Sequence, residues 1–367
     1  CKVAAILAPQ GGRLLPMGEA HAGQTAALAG LSARPGERIG DGFGLEAPET
    51  VPLMSVQVEP TAPLTQSALL AHLREMEEED PLLSVRPEAD GVSVGVMGAV
   101  QVEVLQGILA ARFGDVVRMC PPHVLYKETI AAPVVGIGHY EPLRHYAEVW
   151  LKLEPGAPGS GVSFAADCPP NSLDENWQRL IRTHVFERAH PGVLTGSPLC
   201  DVRIRLIAGR AHLKHTEGGD FREATCRAIR NALMQAENVL LEPVVRFELA
   251  MPNEALARVT GELLRIGAQL DASETDGGET TLTGRCTAAM FWDYPTRFAA
   301  STRGHGRIAS RFDRYEPCKN QDDMVRQSGY DPLADTLNPP GSVFCSHGAG
   351  FYVAWDHVRE WAHCEVE

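Results

Sequence analysis

Apolar positions along this chain change their period several times, and each change marks an element. Over residues 1–50, short apolar runs are broken by Gly11-Gly12, Pro16, Gly23, Gly30 and Pro35-Gly36, the punctuation of small β-barrel strands and turns. From Val51 the spacing predicts a strand over Leu53–Val58. A helix follows from about Leu64 to Glu79, with Leu69, Leu70, Leu73 and Met76 on its apolar side and Asp80-Pro81 as its stop. Val92, Val94 and Val96 share one strand face. Val102, Leu105, Ile108 and Leu109 fit a second helix ending at Gly114, and Val116–Tyr126 reads as a further strand. With a short strand near Leu83–Val85 the order is β-α-β-β-α-β, the split βαβ plan. The same order returns between Val244 and Arg314. There a strand leads to a helix near Pro252 that ends at Gly267, and Asp276-Gly277-Gly278 turns between two strands. A helix over Phe291–Ala300 and a strand over Arg307–Phe312 complete it.

Between these repeats lies a different pattern. Strands are expected near Tyr146–Leu153 and Val162–Ala166, followed by a helix that Ser172 and Glu175 would open as a capping box, burying Leu173, Trp177, Leu180 and Ile181. Val202, Ile204 and Leu206 then alternate with Arg203 and Arg205 along a strand that leads into the loop Arg210–Gly219. Asp220 is placed to cap the next helix, whose polar face carries Arg222, Arg227 and Arg230. The last stretch, 317–367, is rich in Asp, Asn and Pro up to Pro339-Pro340-Gly341. A short helix after Asp356 presents Val358 and Trp361, and the whole segment reads as a tail that docks on what precedes it. The fold class is therefore α+β and multidomain, with boundaries at 1–50, 51–130, 131–240, 241–316 and 317–367.

Bulk properties narrow the classes. At 367 residues there is room for roughly two to four domains. No apolar run reaches the roughly 18 residues of a membrane span, so no membrane partner is expected. The chain opens at Cys1 without an initiator Met or a signal-peptide layout, which predicts that it begins inside a larger protein. Nine cysteines with no Cys-x-x-Cys pair argue against a disulfide framework and for a reducing cytoplasm. A net charge of −14 repels nucleic acid on average, so an RNA contact needs a local basic patch. Residues 203–230 supply one, with seven Lys or Arg against three acids. Its Gly-flanked loop offers His212, Lys214 and His215 as donors and stacking rings. The plain alternative is a solvated helix face with a Glu223–Arg227 pair and a flexible turn.

Catalytic chemistry has little footing. No Gly-Lys pair occurs anywhere, so there is no phosphate loop. Gly159-Ser160-Gly161 lacks the spacing of a nucleophile elbow. His212-x-x-His215 lies on a Gly-rich loop rather than a helix, and the tail cysteines and histidines (Cys345, His347, His357, His363, Cys364) form no metal-ligand motif. No catalytic residue, metal site or cofactor is expected in this chain.

Several segments nevertheless resemble a known family. Val51–Pro60, Glu77–Leu82, Val96–Val104 and Leu125–Ile130 resemble the third domain of elongation factor G and its relatives. Leu240-Leu241-Glu242-Pro243-Val244, with Arg303–Arg307 and Arg311–Pro317, is similar to the fifth domain. The resemblance covers roughly residues 15–317. It implies the end of a second-domain β-barrel, two ferredoxin-like domains flanking a ribosomal-protein-S5-like fourth domain, and a C-terminal tail. In place of the glycine-rich run of elongation factor G, the middle domain has Leu143-Arg144-His145-Tyr146-Ala147-Glu148, which is more similar to the tetracycline ribosomal protection proteins. The tip loop, His212-Leu213-Lys214-His215-Thr216, departs from the Tyr-Ser-Pro-Val-like tip of those proteins. The resemblance implies a monomeric, ribosome-binding part of a translation GTPase, with GTP and magnesium held by an N-terminal domain that this chain lacks. It makes Arg210, His212, Lys214, His215 and Arg222 the expected contacts to small-subunit rRNA at the decoding region. The alternatives are a stand-alone rRNA-binding adaptor or a metal-dependent hydrolase built on the tail.

Overall fold

Both split βαβ patterns form. The structure, a computed structural model, describes residues 2–33, 35, 51–88 and 91–364, and the chain separates into two units, Cys1–Pro122 and His123–Glu367.

In the first unit, β1 (Ala5–Gln10), β2 (Arg13–Met17) and β3 (Ala27–Ala29) make an antiparallel sheet in the order β2-β1-β3. The barrel strands expected over residues 36–50 lie outside the described residues. The first split βαβ follows as β4 (Met54–Pro60), α1 (Gln66–Glu79), β5 (Arg86–Pro87), β6 (Val92–Val96), α2 (Ala99–Phe113) and β7 (Val117–Val124). Its sheet order is β5-β6-β4-β7. The Thr65 hydroxyl starts α1 by accepting the Ala68 N–H at 3.3 Å, and Leu69, Leu73 and Met76 fall on the buried side. Gly114 ends α2 at φ 72°, a left-handed conformation that glycine adopts without strain.

The second unit contains two sheets. The elements of the first are β8 (Lys127–Ile130), β9 (Val134–Tyr140), β10 (Ala147–Pro155), β11 (Val162–Ala166), α3 (Glu175–Phe186), β12 (Val202–Ala211) and α4 (Gly218–Gln235). The second split βαβ comprises β13 (Asn238–Pro252), α5 (Leu256–Arg265), β14 (Gln269–Asp276), β15 (Glu279–Thr287), α6 (Ala288–Phe291), α7 (Tyr294–Ser301) and β16 (Arg307–Pro317). Its order, β14-β15-β13-β16, repeats that of the first copy, and β8 pairs with the opening residues of β13. After β16 the chain forms α8 (Gln321–Ser328), β17 (Ser342–Ser346), β18 (Ala349–Val353) and α9 (Val358–Trp361). The tail strands join the middle domain directly, giving a six-stranded sheet in the order β11-β12-β10-β9-β17-β18.

That sheet carries a core on each face. Leu151, Leu153, Ile204 and Leu206 pack with Phe221, Ala224, Ala228 and Ile181 of α4 and α3, while Ile137, Trp150, Phe344, Val353 and Val358 form a second cluster. Two expected caps fall elsewhere. Residues 169–173 close a turn, with Ser172 N–H and Leu173 N–H both donating to Pro169 O, so Asp174 rather than Ser172 caps α3. Helix α4 begins at Gly218, and Asp220 sits inside its first turn, accepting the Glu217 N–H at 2.8 Å.

The register of β9 matters most. A Cβ on Gly136 would fall 2.0 Å from Ala228 O, and one on Gly138 would fall 1.9 Å from Ala224 O. Helix α4 thus lies on bare backbone. Gly138→Ala should lower unfolding free energy by about 3 kcal/mol or more, at the severe end of single substitutions, or leave no soluble protein. Gly107→Ala, in mid-α2 with open space around it, should raise it by about 0.4–1 kcal/mol. Urea denaturation of the two variants checks the contrast.

Candidate nucleic-acid interface

The turn between β12 and α4 is built by local hydrogen bonds. Thr216 N–H donates to His212 O at 3.0 Å and His215 N–H to the same oxygen at 3.2 Å. The Thr216 hydroxyl accepts the His212 N–H at 2.7 Å and donates to Tyr146 O at 2.6 Å, which pins the turn to the start of β10. Within it the His212 and His215 rings stack at 4.6 Å with an interplanar angle of 17°. Arg210, His212, Leu213, Lys214 and His215 are all exposed, and Leu213 is fully so, at 106%. Among the described residues, neither Arg210 nor Lys214 has a carboxylate partner. The turn and the end of β12 therefore offer Lys214, Arg210 with one donor on His363 O at 3.4 Å, a stacked imidazole pair and an unshielded apolar side chain.

Arg222 lies apart from this turn. Its Nε and Nη2 bond both oxygens of Glu187 at 2.8 and 3.1 Å, beyond the end of α3. Burial raises the pKa of the Glu187 carboxyl, but hydrogen bonds from His184 and Arg222 prevail and lower it overall.

Arg227 and Arg230, expected on a solvated helix face, are buried. Arg227 donates to Gly341 O at 2.8 Å and lies over the Tyr140 ring. Arg230 donates to Gly192 O at 2.8 Å and to the Tyr330 hydroxyl at 2.7 Å, with Asp335 at 3.7 Å. The tail brings carbonyls and a phenol to this face, so two of the seven cations in the basic stretch serve the fold rather than the surface. A third, Arg205, pairs with Asp167 and Glu154.

The strongest polar cluster is one that sequence spacing does not reveal. His139, Glu148 and His363 bring potential ligand atoms within 4.8 Å of one another. Both Glu148 oxygens, however, are already engaged. Oε2 accepts from His139 Nδ1 and His363 N–H at 2.8 Å each. Oε1 accepts from Trp150 Nε1 at 2.8 Å and Cys364 N–H at 2.7 Å. With four donors on one carboxylate, no lone pair is left for a metal unless a bond breaks. The cluster is a clamp that holds the end of the tail against β9 and β10. Burial alone would raise the Glu148 pKa, but these four donors bring it down to about 2. The eight cysteines among the described residues are all free, and burial pushes the Cys200 thiol up to about 12 and the Cys286 thiol up to about 11. Neither is a nucleophile at neutral pH.

These shifts set a pH dependence. His190, buried with its Nε2 3.0 Å from Val185 O, is lowered by desolvation to about 4. A histidine that resists protonation in the fold stabilises it fully above about 6.5, and that contribution is lost as pH falls toward 4. Glu148, lowered to about 2, contributes fully above its ordinary value of 4.5 and loses that contribution as pH falls toward 2. Urea midpoints should therefore fall steadily from pH 6.5 downward. His190→Asn should flatten the upper part of that fall, and Glu148→Gln the lower part.

Residues 122–237 match the model of elongation factor G, domain IV, and residues 239–325 match that of the elongation factor G C-terminus. A crystal structure of a protein from Thermus thermophilus is similar, with a TM-score of 0.63 and 23% identity. The similarity covers 88% of this chain and 51% of that one, so this chain spans about half the length of that protein.

Proposed function

Because the chain carries the C-terminal region of an elongation factor G-like translation factor, we propose that it is the ribosome-binding arm of a translation GTPase and that its β12–α4 turn faces small-subunit rRNA near the decoding region. The observation that carries this reading is the exposed turn itself. In a chain of net charge −14, it presents Arg210 and Lys214 with no carboxylate partner among the described residues, beside the stacked rings of His212 and His215. Cations of this kind hold phosphates, and imidazole faces stack on unpaired bases. Leu213, fully exposed at the tip, adds an apolar contact that has no use in water. Arg222, held by Glu187 apart from the turn, is a separate cation of the same arm. No residue of the turn acts as a catalyst. GTP and magnesium belong to a nucleotide-binding portion that this sequence, lacking any Gly-Lys pair, does not provide.

The same reading makes the arm a cytoplasmic monomer. Membership of the tetracycline ribosomal protection group is the finer form of the proposal, and it rests on Leu143–Glu148 resembling that group.

Ribosome co-sedimentation of the full-length gene product with a non-hydrolysable GTP analogue tests the proposal. GTP-dependent pelleting is expected. Lys214→Ala with Arg210→Ala should weaken it several-fold and shrink the slope of log affinity against log salt by about 1–2, one increment for each phosphate no longer neutralised. Equal binding at every salt concentration would remove the turn from the interface. Release of bound tetracycline on pelleting would assign the protection role, and pelleting without release would assign another step of translation.

A further inference from the structure

A second cationic site lies where α3 ends against α4 and the tail. A cavity of about 440 Å³ opens there, lined by Arg188, Arg222 and Arg227, by Glu187 and Glu223, by Cys226, and by the tail segment 337–339. Three guanidiniums face two carboxylates. Glu187 is occupied by Arg222 and His184, and Glu223 lies 3.3 Å from Arg227. Arg188 has no carboxylate partner among the described residues and lies beside the Cys226 thiol. Burial pushes that thiol up, so it stays neutral and adds no negative charge.

The lining is also incompletely satisfied. Arg222 spends Nε and Nη2 on Glu187, which leaves Nη1. Arg227 spends Nη1 on Gly341 O and Nη2 on Glu223, and its buried Nε has no hydrogen-bond partner among the described residues. Native interiors pair nearly all such atoms, and a bound water or ion is one of the few explanations for an exception. A flat carboxylate would take one guanidinium fork. Guanidinium groups from three arginines around one cavity, with Arg188 bonded only to the neutral Cys226 thiol among the described residues, suit an anion with oxygens in several directions. The volume falls within the usual range of small-molecule sites.

We infer that this cavity binds a phosphate group, with Arg188 and Arg222 as its principal donors and Arg227 as the wall behind them. The phosphate comes either from an RNA backbone, in which case the inference rests on the ribosomal reading, or from a free phosphorylated small molecule.

The test titrates inorganic phosphate, AMP and a labelled single-stranded RNA ten-mer into the intact chain at low salt, off the ribosome. Arg188 is exposed, so Arg188→Ala and Arg188→Glu should both fold, which circular dichroism verifies. Each is expected to weaken phosphate-bearing ligands at least about 5- to 10-fold, on the scale of one charge-assisted contact. Arg258→Ala, on the exposed side of α5, should leave AMP and phosphate binding unchanged. Saturable, Arg188-dependent binding of AMP or phosphate assigns a free ligand; Arg188-dependent binding of RNA alone assigns a backbone phosphate. Binding that ignores both Arg188 variants, or no binding of any probe, overturns the inference. Ribosome pelleting is read separately, so failure of the ribosomal reading leaves AMP binding to be judged on its own.

Discussion

Helix α4 lies on β9 with no β9 side chain at Gly136 or Gly138 to hold the two backbones apart. Gly136 and Gly138 leave room for Ala224, Ala228 and Ala232, and a single methyl at either glycine would enter the helix backbone. Everything functional in the second unit follows from that approach. It sets where α4 begins, hence where the β12–α4 turn leaves the sheet. It also fixes the azimuth of the helix, so that Phe221 and Ala228 point into the core while Arg222, Arg227 and Arg230 emerge on the side that meets α3 and the tail. The opposite residues of β9, Ile137 and His139, meet Phe344 and His363 from the tail. One strand thus takes a helix against its small side and the C-terminal segment against its large side.

The tail is held by charge as much as by apolar contact. Arg230 gathers Pro191 O, Gly192 O, Pro332 O and the Tyr330 hydroxyl, and Glu148 collects four donors, two of them tail amides. Buried charges left unpaired are very costly, whereas buried charges with saturated hydrogen bonding specify one arrangement. These two groups are placed at opposite faces of the sheet, so the tail has to follow one path: past the end of α4, beside β9 as β17 and β18, and back over Trp150. A purely apolar tail would have had several ways to lie on the same surface.

Much of this plan was legible in the sequence. The two split βαβ units were readable because each depends on local periodicity, from Leu69, Leu73 and Met76 on α1 to the Gly277-Gly278 turn between β14 and β15. The turn at 212–216 was legible as a cation-rich, Gly-flanked loop. What stayed hidden depends on contacts distant in sequence. The partner of the His139 N–H is the Ser342 hydroxyl, 203 residues away, and no period announces it. Arg227 and Arg230 looked like solvent-facing cations because their partners, Gly341 O for one and Gly192 O, Pro191 O and Pro332 O for the other, lie 38 or more residues away in sequence. Arg188 gave no signal at all, since its setting depends on α3 and α4 converging. The displaced caps of α3 and α4 have a local cause: Pro169 and Pro170 start a turn before Ser172 can act, and Glu217 precedes Asp220 as a cap.

The overall charge of the chain would oppose an RNA-facing turn if all its carboxylates were equally free, and they are not. Asp220, at the foot of the turn, is buried and bonded to His145 and to the Glu217 N–H. Glu148 is enclosed by four donors, Glu187 by Arg222 and His184, and Glu141 by His139 and the Cys345 N–H. Glu217 is the exposed exception beside the loop. Charges farther away are attenuated over a screening length of about 8 Å at physiological salt, so the field at the tip is set by what lies within that radius. There, among the described residues, Arg210 and Lys214 have no ion pair, and apart from Glu217 the carboxylates named above are engaged by donors. A positive tip on an acidic protein is the electrostatic arrangement that favours one surface for phosphate contact and discourages the rest.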